Sequence, residues 1–458
     1  MSRRPESILL SQGVLLGGQG LTLALGLMVT GRLAGALSWS DFGLFAFEAS
    51  LFALLGQVVD GGWGGALVGA LVRNPAEGRR VLRRAAALRW GVAALLIALV
   101  PLIDVPGLPW PWIAAALLLF PLRTGASALA AARRFTPNAA VGLAVQVLFA
   151  TAVLLFPTTD VALTGLAVRE GVHALSIGLV SRSWRPSAVG DAPRAAIPEF
   201  RFRALWPLSL AALFNALYLS QDLYLLERLR GPEALADYGL GVRLVTPLIA
   251  TVGLLLAPFA PRLARRSSVC GAAAVTAAAA VLFPSVLLGF GGGIVGLLHG
   301  AQRPEAVHAL AILAWTPLLV AFGGAASLTL VVGGRTLPWC VIAAGGFVLN
   351  LILNVSFIPA WGPSGAAAAT LITEGAVAGI AWKTLRTEGT TPWRPLLGLA
   401  LPIGAVQALS LVVWPPRTWM GVVVHGGIAL ISMALLTFSP PVARIREKTD
   451  EETSPWPS

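Results

Sequence analysis

Long apolar stretches alternate with short polar connections along almost the whole chain. A membrane-spanning helix needs about 20 mostly apolar residues, and about 14 stretches meet that requirement here. Pro, Gly or clusters of Arg separate most of them, as is typical of connections between helices. The stretch at 42–70 is too long for one ideal span, and its Gly-rich segment at 61–65 predicts a kink or a turn. The predicted spans lie roughly at 8–30, 42–70, 85–103, 110–130, 138–157, 161–180, 204–226, 237–258, 269–290, 306–332, 336–358, 362–382, 395–414 and 419–438.

The composition agrees with this pattern. Hydrophobic residues make up 56% of the chain and charged residues only 12%, whereas soluble domains carry about 25% charged residues. Lipid must therefore solvate most of the surface. The sequence predicts an all-α polytopic membrane protein with about 14 transmembrane helices.

The net charge of +12 follows the predicted topology. If the N-terminus lies inside the cell, 26 of the 33 basic residues fall on inner loops, inner helix ends and the tail, and five fall on outer loops. This bias is the positive-inside rule. It predicts a multi-pass protein with both termini in the cytoplasm, and it explains the basic charge without a nucleic acid partner.

Two halves of the sequence resemble each other across a polar stretch at 181–203. The motif at 41–44, Asp-Phe-Gly-Leu, matches Asp-Tyr-Gly-Leu at 237–240, and Glu170-Gly171 matches Glu374-Gly375. An Asp at the start of a helix is most simply explained as a helix cap. The repeat predicts two six-helix lobes in parallel repeat plus two C-terminal helices. The predicted units are an N-lobe at 1–185 (helices 1–6), a cytoplasmic linker at 186–203, a C-lobe at 204–386 (helices 7–12), helices 13 and 14 at 387–443, and a cytoplasmic tail at 444–458.

Ionisable residues inside the spans are candidates for function, because each costs about 2.5–3.5 kcal/mol at the bilayer centre on insertion scales. We expect such residues to line a polar cavity between the lobes, although local pairs that hold helices together are the alternative. They are Glu48, Asp60, Arg169, Glu170, Asp222, Arg243 and Glu374, with Arg32 and Glu227 near outer helix ends.

The signs of these charges suggest two roles. Arg32, Arg169 and Arg243 are candidates to bind an anionic headgroup, because guanidinium makes bidentate contacts to phosphate oxygens. Acidic residues in spans could take a proton or Na⁺, line the cavity or hold the arginines in position. The acidic candidates for ion coupling or for lining the cavity are Glu48, Asp60, Glu170, Asp222 and Glu374.

No enzyme signature is present in the sequence. The four histidines show no HExxH spacing, and there is no Walker A motif. We therefore predict neither a metal site nor a cofactor, and a transporter rather than an enzyme.

Several motifs resemble those of a known family. In the first half these are the motif at 41–44, Asp60-Gly61 and Arg73. In the second half they are Asp222, Gly231-Pro232-Glu233, Tyr238, Arg243, Pro261-Arg262-Leu263-Ala264, Gly334-Arg335-Thr336, Asn350, Asn354, Ile358-Pro359, Gly362, Gly365-Ala366-Ala367, Ala369-Thr370 and Glu374. In order and spacing they resemble the bacterial polysaccharide flippases of the multidrug/oligosaccharidyl-lipid/polysaccharide exporter superfamily.

The resemblance implies a two-lobed flippase with a V-shaped central cavity in the bacterial cytoplasmic (inner) membrane. Such proteins move an undecaprenyl-diphosphate-linked oligosaccharide to the periplasmic leaflet by alternating access, for O-antigen or exopolysaccharide synthesis. The family's cationic lumen makes Arg32, Arg169 and Arg243 the predicted diphosphate ligands. The expected partners are the lipid-linked oligosaccharide, membrane lipid, a polysaccharide polymerase and glycosyltransferases. A lipid II flippase, a drug/cation antiporter of the same superfamily and a membrane polysaccharide polymerase remain alternatives.

Overall fold

Every regular element in the described part of the chain is a helix. The computed structural model describes residues 8–73, 78–99, 109–131, 136–181, 206–256 and 303–386, with isolated positions between 284 and 296. The N-terminal half (8–181) contains α1 (Ile8–Ala36), α2 (Trp39–Asp60), α3 (Gly64–Arg73), α4 (Gly78–Leu99), α5 (Trp110–Leu119), a 3₁₀ turn (Phe120–Arg123), α6 (Thr124–Ala131), α7 (Thr136–Leu155) and α8 (Thr159–Ser181). The C-terminal half (206–386) contains α9 (Trp206–Arg230), α10 (Pro232–Leu256), α11 (Pro304–Leu313), α12 (Thr316–Val332) and α13 (Thr336–Arg386).

The helices confirm an all-α, multi-pass membrane protein. Among the described residues, seven helical segments are long and apolar enough to cross a membrane, and one of them, Thr336–Leu385, covers two predicted spans. The predicted helices 13 and 14, the tail, and nearly all of the predicted span at 269–290 lie outside the described residues. The total of about 14 spans therefore remains a prediction.

Glycine and proline interrupt the longest apolar segments, as the sequence indicates. The stretch at 42–70 is divided between α2 and α3 by a turn at Gly61 and Gly62, whose φ angles are 64° and 67°. Only glycine adopts such angles readily, so the predicted break is confirmed. Gly362 (φ 53°, ψ −130°), between Pro359 and Pro363, likewise kinks α13 between its two predicted spans.

The first turn of α2 corrects the expectation that Asp41 is the cap of the helix. Ser38 is the N-cap, and its hydroxyl oxygen accepts a hydrogen bond from the Asp41 backbone N–H at 3.1 Å. The Ser38 hydroxyl donates to the Asp41 carboxylate at 2.6 Å. Asp237 lies inside α10 rather than at its start, so the repeated motif does not share one capping role.

The two halves pack directly against each other through α2, which contacts α9 and α10. One hydrophobic cluster contains Phe42 and Phe45 from α2 together with Leu240 and Leu244 from α10. A cavity of about 530 Å³ lies at the outer ends of α9, α10 and α11, beside the kink of α13. Outer and inner denote the sides given by the predicted topology. The V-shaped cavity between the two predicted lobes remains a prediction.

Candidate functional site

Arg169 and Glu170 lie side by side near the middle of α8. The Arg169 guanidinium donates through Nε to Glu170 Oε1 at 3.1 Å, and its Nη2 also pairs with that oxygen. Its Nη1 donates to Gln146 Oε1 on α7 at 3.0 Å, and the group stacks over Phe149 at 5.3 Å. Arg169 is thus held by two polar partners and one ring within the bundle.

Arg123 joins the same carboxylate from the other side. Its Nη1 donates to Glu170 Oε2 at 3.0 Å. The sequence counted Arg123 with the inner helix ends, within the predicted span 110–130; the structure places it at the end of the 3₁₀ turn, where its guanidinium reaches Glu170. Pro121 within an apolar stretch was the available signal, since proline interrupts a helix and re-aims the residues that follow.

Arg243 approaches this group from α10 in the other half. Its guanidinium lies 4.2 Å from the ring centre of Phe45 and 5.8 Å from that of Phe42. The positive charges of Arg243 and Arg169 lie close enough to repel each other. The Arg243 Nε atom is buried and has no hydrogen-bond partner among the described residues.

These side chains form one group, here named the cationic cluster. Among the described residues, Glu170 pairs with both Arg123 and Arg169, and Arg243, which lies near Arg169, forms no ion pair of its own. An excess of positive charge in an apolar bundle is unfavourable unless an anion approaches it. Guanidinium groups bind phosphate oxygens bidentately, so the cluster is suited to a phosphorylated ligand. Its members are Arg123, Gln146, Arg169, Glu170 and Arg243.

A second polar group surrounds Asp222 in the C-terminal half. The Asp222 carboxylate accepts hydrogen bonds from the Tyr238 hydroxyl at 2.7 Å, the Thr370 hydroxyl at 2.9 Å and the Asn354 amide. These partners come from α10 and from both sides of the α13 kink. Asp222 is 3% exposed, so three neutral donors hold a carboxyl group in a nearly dry site.

Amide side chains extend this second group towards the middle of α13. Asn354 also donates to Asn350 Oδ1 at 2.7 Å, and Gln221 donates to the same oxygen. The amide oxygens of Gln221 and Asn354 are buried without hydrogen-bond donors among the described residues. The Tyr218 hydroxyl donates to the Thr370 carbonyl at 3.4 Å, and Glu374 lies near enough to this hydroxyl for an electrostatic interaction. We name the group the carboxylate cluster; its members are Tyr218, Gln221, Asp222, Tyr238, Asn350, Asn354, Thr370 and Glu374.

The structure thus brings Arg169, Glu170 and Arg243 together and groups Asp222 with Glu374. Three other predicted site residues, Arg32, Glu48 and Asp60, belong to neither cluster. Arg32 is exposed at the outer end of α1, where its Nε donates to the Leu154 carbonyl at 3.4 Å. Glu48 is 8% exposed, and its Oε2 has no hydrogen-bond partner among the described residues.

Asp60 lies at the inner end of α2 in an ion pair with Arg89 at 2.8 Å. Arg89 is 2% exposed, donates to the Asp60 carbonyl through Nε at 3.1 Å and Nη2 at 2.9 Å, and donates to Thr124 Oγ1 at 2.8 Å. This geometry favours a structural role for Asp60 over the predicted coupling role. The sequence counted Arg89 among inner helix ends; the structure buries it in the middle of α4, and its position in the sequence gave no signal of that burial.

No protein family profile and no curated protein matches the chain. The lipid II flippase MurJ, in an inward closed conformation, is similar in structure with a TM-score of 0.63 and 12% identity, over 92% of this chain and 97% of MurJ. The chain has the fold of MOP-superfamily transporters.

Two further solved structures support that assignment. An outward-facing multidrug resistance MATE transporter of the MOP superfamily has a TM-score of 0.56 and 15% identity, over 83% of this chain and 96% of its own. A MOP superfamily transporter from Pyrococcus furiosus, described by the reverse polarity of its binding pocket, has a TM-score of 0.56 and 14% identity, over 84% and 98% of the two chains. At these identities the similarity establishes the fold alone.

Proposed function

We propose that this protein translocates an undecaprenyl-diphosphate-linked oligosaccharide across the bacterial cytoplasmic membrane by alternating access. The observation that carries the proposal is the unbalanced positive charge of the cationic cluster. Arg169 and Arg243 come from different halves, and the Arg243 Nε atom is buried without a hydrogen-bond partner among the described residues. A diphosphate between them would neutralise both groups at once, so the cargo itself would supply the missing counter-charge.

The position of the cluster also suits a lipid-linked cargo. Arg169 and Arg243 lie near the middle of α8 and α10, both of which are candidate spans. A charged headgroup at this depth requires a protein interior that replaces its water. We propose that the diphosphate and sugars enter the protein while the polyprenyl chain stays in lipid.

A lipid II flippase fits these observations equally well. Lipid II also carries a polyprenyl diphosphate, and MurJ, which has a similar fold, is described as a lipid II flippase. The cationic cluster weighs against the third candidate, a drug/cation antiporter, because it would repel a cationic drug. For either flippase we expect a location in the bacterial cytoplasmic membrane, with both termini in the cytoplasm. The expected partners are glycosyltransferases and a polysaccharide polymerase.

The carboxylate cluster is our candidate for the coupling site. Asp222 and Glu374 are acidic, and the buried amide oxygens of Gln221 and Asn354 lack donors among the described residues. Carboxylate and amide oxygens suit a hard cation such as Na⁺, and carboxylates also accept protons. We propose that a cation or proton bound here drives the lobes between their two orientations. Glu48 is the remaining acidic candidate, in the other half.

Transport in proteoliposomes tests the proposal. Fluorescent oligosaccharide-diphospholipid and fluorescent lipid II are reconstituted separately, and flipping is followed by protection from a membrane-impermeant quencher. We expect movement of a diphosphate lipid that Arg243→Gln slows by about 10–100-fold, the equivalent of one charged hydrogen bond. Arg228→Gln is the control, because Arg228 is an exposed residue paired only weakly with Glu227 at 3.6 Å.

The outcomes separate the candidates. Preference for the oligosaccharide lipid supports polysaccharide export, and preference for lipid II supports the alternative. Unchanged transport by Arg243→Gln would contradict the role of the cationic cluster. Rates that ignore Na⁺ and pH gradients would remove the coupling role of Asp222.

A further inference from the structure

Polar contacts between the two halves are concentrated on one helix. Among the described residues, three hydrogen bonds join the halves, and all three start from α2 or the turn that follows it. They join Trp39 to Asp237 at the outer end, Ser50 to Ser220 in the middle, and Trp63 to Ser209 at the inner end. Helix α2 therefore fastens the halves together across the full depth of the bundle.

The outer fastening is built around an indole ring. Trp39 Nε1 donates to Asp237 Oδ1 at 3.1 Å, and the Arg303 guanidinium stacks on the Trp39 ring at 4.8 Å. Arg303 also pairs with Glu233 at 3.5 Å. Trp39 is 6% exposed, so one buried side chain of the N-terminal half is clamped between two charged groups of the C-terminal half.

Next to Trp39, the backbones of α2 and α10 are in close contact at Gly43. A Cβ atom on Gly43 would lie 2.5 Å from the Pro232 carbonyl oxygen and 3.1 Å from the Ala236 nitrogen. Real side chains do not approach a backbone so closely, and only glycine permits this contact. The outer ends of α2 and α10 are closed against each other.

The inner fastening also uses an indole donor to the opposite half, although the arginine on its ring comes from its own half. Trp63 Nε1 donates to Ser209 Oγ at 2.8 Å, and the buried Arg89 lies 5.8 Å from the Trp63 ring centre. A Cβ on the neighbouring Gly62 would lie 2.9 Å from Ala212 Cβ. Both ends of α2 are thus closed in the same structure.

We propose that Trp39 and Trp63 are the latches of two opposing gates, each closing one side of the transport path. This inference rests on the alternating access of the proposed function. A transporter of this kind must open one end while the other stays closed. Since each indole N–H donates to the opposite half, removing one latch shifts the population towards opening at its own end only. The two latches therefore act in opposite directions.

Distance measurements between spin labels test the latches without any cargo. Trp39→Phe removes the outer indole donor and keeps an aromatic ring, and Trp63→Phe does the same at the inner end. Loss of one net hydrogen bond shifts an equilibrium by up to about tenfold. The spin labels are attached in a background with Cys270→Ala and Cys340→Ala. The outer pair of labels is at Phe156→Cys and His308→Cys, and the inner pair is at Arg80→Cys and Lys383→Cys.

Trp39→Phe should increase the population of long distances in the outer pair by up to about tenfold and leave the inner pair unchanged. Trp63→Phe should increase the population of long distances in the inner pair by the same factor and leave the outer pair unchanged.

A matched control and two further variants keep the test decisive. Trp90→Phe also removes an indole donor, but Trp90 Nε1 donates to the Leu118 carbonyl within the same half, at 2.9 Å, so both distances should stay unchanged. If either Trp variant fails to fold, Asp237→Ala and Ser209→Ala remove the acceptors instead.

Variants that open the wrong end, both ends or neither end would overturn the proposal. Because no cargo is present, failure of the latches is separate from failure of the flippase assignment, which transport alone tests.

Discussion

The cationic cluster and the carboxylate cluster differ in what they lack. In the cationic cluster, Arg243 Nε is a buried donor without an acceptor among the described residues. In the carboxylate cluster, Gln221 Oε1 and Asn354 Oδ1 are buried acceptors without donors there. Buried polar groups are normally paired, so in the proposed function these atoms are the candidates for ligand contacts. The first cluster suits an anion and the second suits a cation.

One hydroxyl group illustrates how a repeated motif diverged between the halves. The aromatic residue of the Asp-aromatic-Gly motif is Phe42 in the N-terminal half and Tyr238 in the C-terminal half. Phe42 offers its ring to the Arg243 guanidinium at 5.8 Å, whereas the Tyr238 hydroxyl donates to Asp222 at 2.7 Å. The same position thus supports a cation in one half and a carboxylate in the other.

The largest expected effect comes from removing both central arginines. Arg169→Gln combined with Arg243→Gln should weaken binding of a polyprenyl diphosphate by about 3–6 kcal/mol, as each charged hydrogen bond contributes about 1.5–3 kcal/mol. Fluorescence titration of the protein in nanodiscs measures this loss. Arg228→Gln should bind like the wild type. A double variant that still binds with wild-type affinity would show that the diphosphate lies elsewhere.

Removing Asp222 from the carboxylate cluster should affect stability rather than diphosphate binding. Asp222→Ala leaves Tyr238, Thr370 and Asn354 without their acceptor, and we expect a loss of about 2–4 kcal/mol in the free energy of unfolding. Reversible unfolding in mixed detergent measures it, with Glu227→Ala on the same helix as the control. If Asp222→Ala weakened diphosphate binding as much as the double arginine variant does, the two clusters would not have separate roles.

Glu170→Gln tests the cationic cluster by removing its carboxylate. The substitution removes the carboxylate that pairs with Arg123 and Arg169, and we expect a loss of about 1–3 kcal/mol in stability. Inorganic pyrophosphate should raise the melting temperature of Glu170→Gln more than that of the wild type, because it replaces the lost counter-charge. Equal shifts in the two proteins would argue against an anion site in the cationic cluster.

The smallest expected effect on stability comes from changing the aromatic residue of the Asp-aromatic-Gly motif. Tyr238→Phe removes one hydrogen bond to Asp222, worth about 0.5–1.5 kcal/mol of stability. Phe42→Tyr is the reciprocal change, and it should gain no stability, because Phe42 offers its ring to Arg243 and Asp222 already has Tyr238. The free energies of unfolding of the two variants are compared. A gain from Phe42→Tyr as large as the loss from Tyr238→Phe would remove the distinction between the halves.

The sequence predicted the helices well because apolar length is a direct consequence of bilayer thickness. It also located the breaks at Gly61 and Gly362, where proline or paired glycine changes the backbone. It did not predict which side chains are buried: Arg89 was assigned to an inner helix end, yet it is 2% exposed within the bundle. Position along a helix is readable from the chain, but the neighbours that bury a side chain are not.

The charged residues of the candidate site could be predicted from the sequence, but the side chains that contact them could not. Scarce ionisable residues in apolar helices pointed to Arg169, Arg243 and Asp222, because such residues are costly in lipid. The donors that surround Asp222 come from α10 and from both sides of the α13 kink, so no local pattern could assemble them. Asn354 and Thr370 entered the sequence analysis only through the family resemblance, without a role.

Binding of simple lipids by the purified protein tests whether the cationic cluster binds a diphosphate. Undecaprenyl diphosphate, undecaprenyl monophosphate and uncharged undecaprenol are titrated in nanodiscs against the wild type and Arg243→Gln. We expect the affinity to fall from diphosphate to monophosphate to alcohol, and Arg243→Gln to remove most of the advantage of the diphosphate. Equal affinity of the wild type for all three lipids would contradict a cationic cluster built for a phosphorylated cargo.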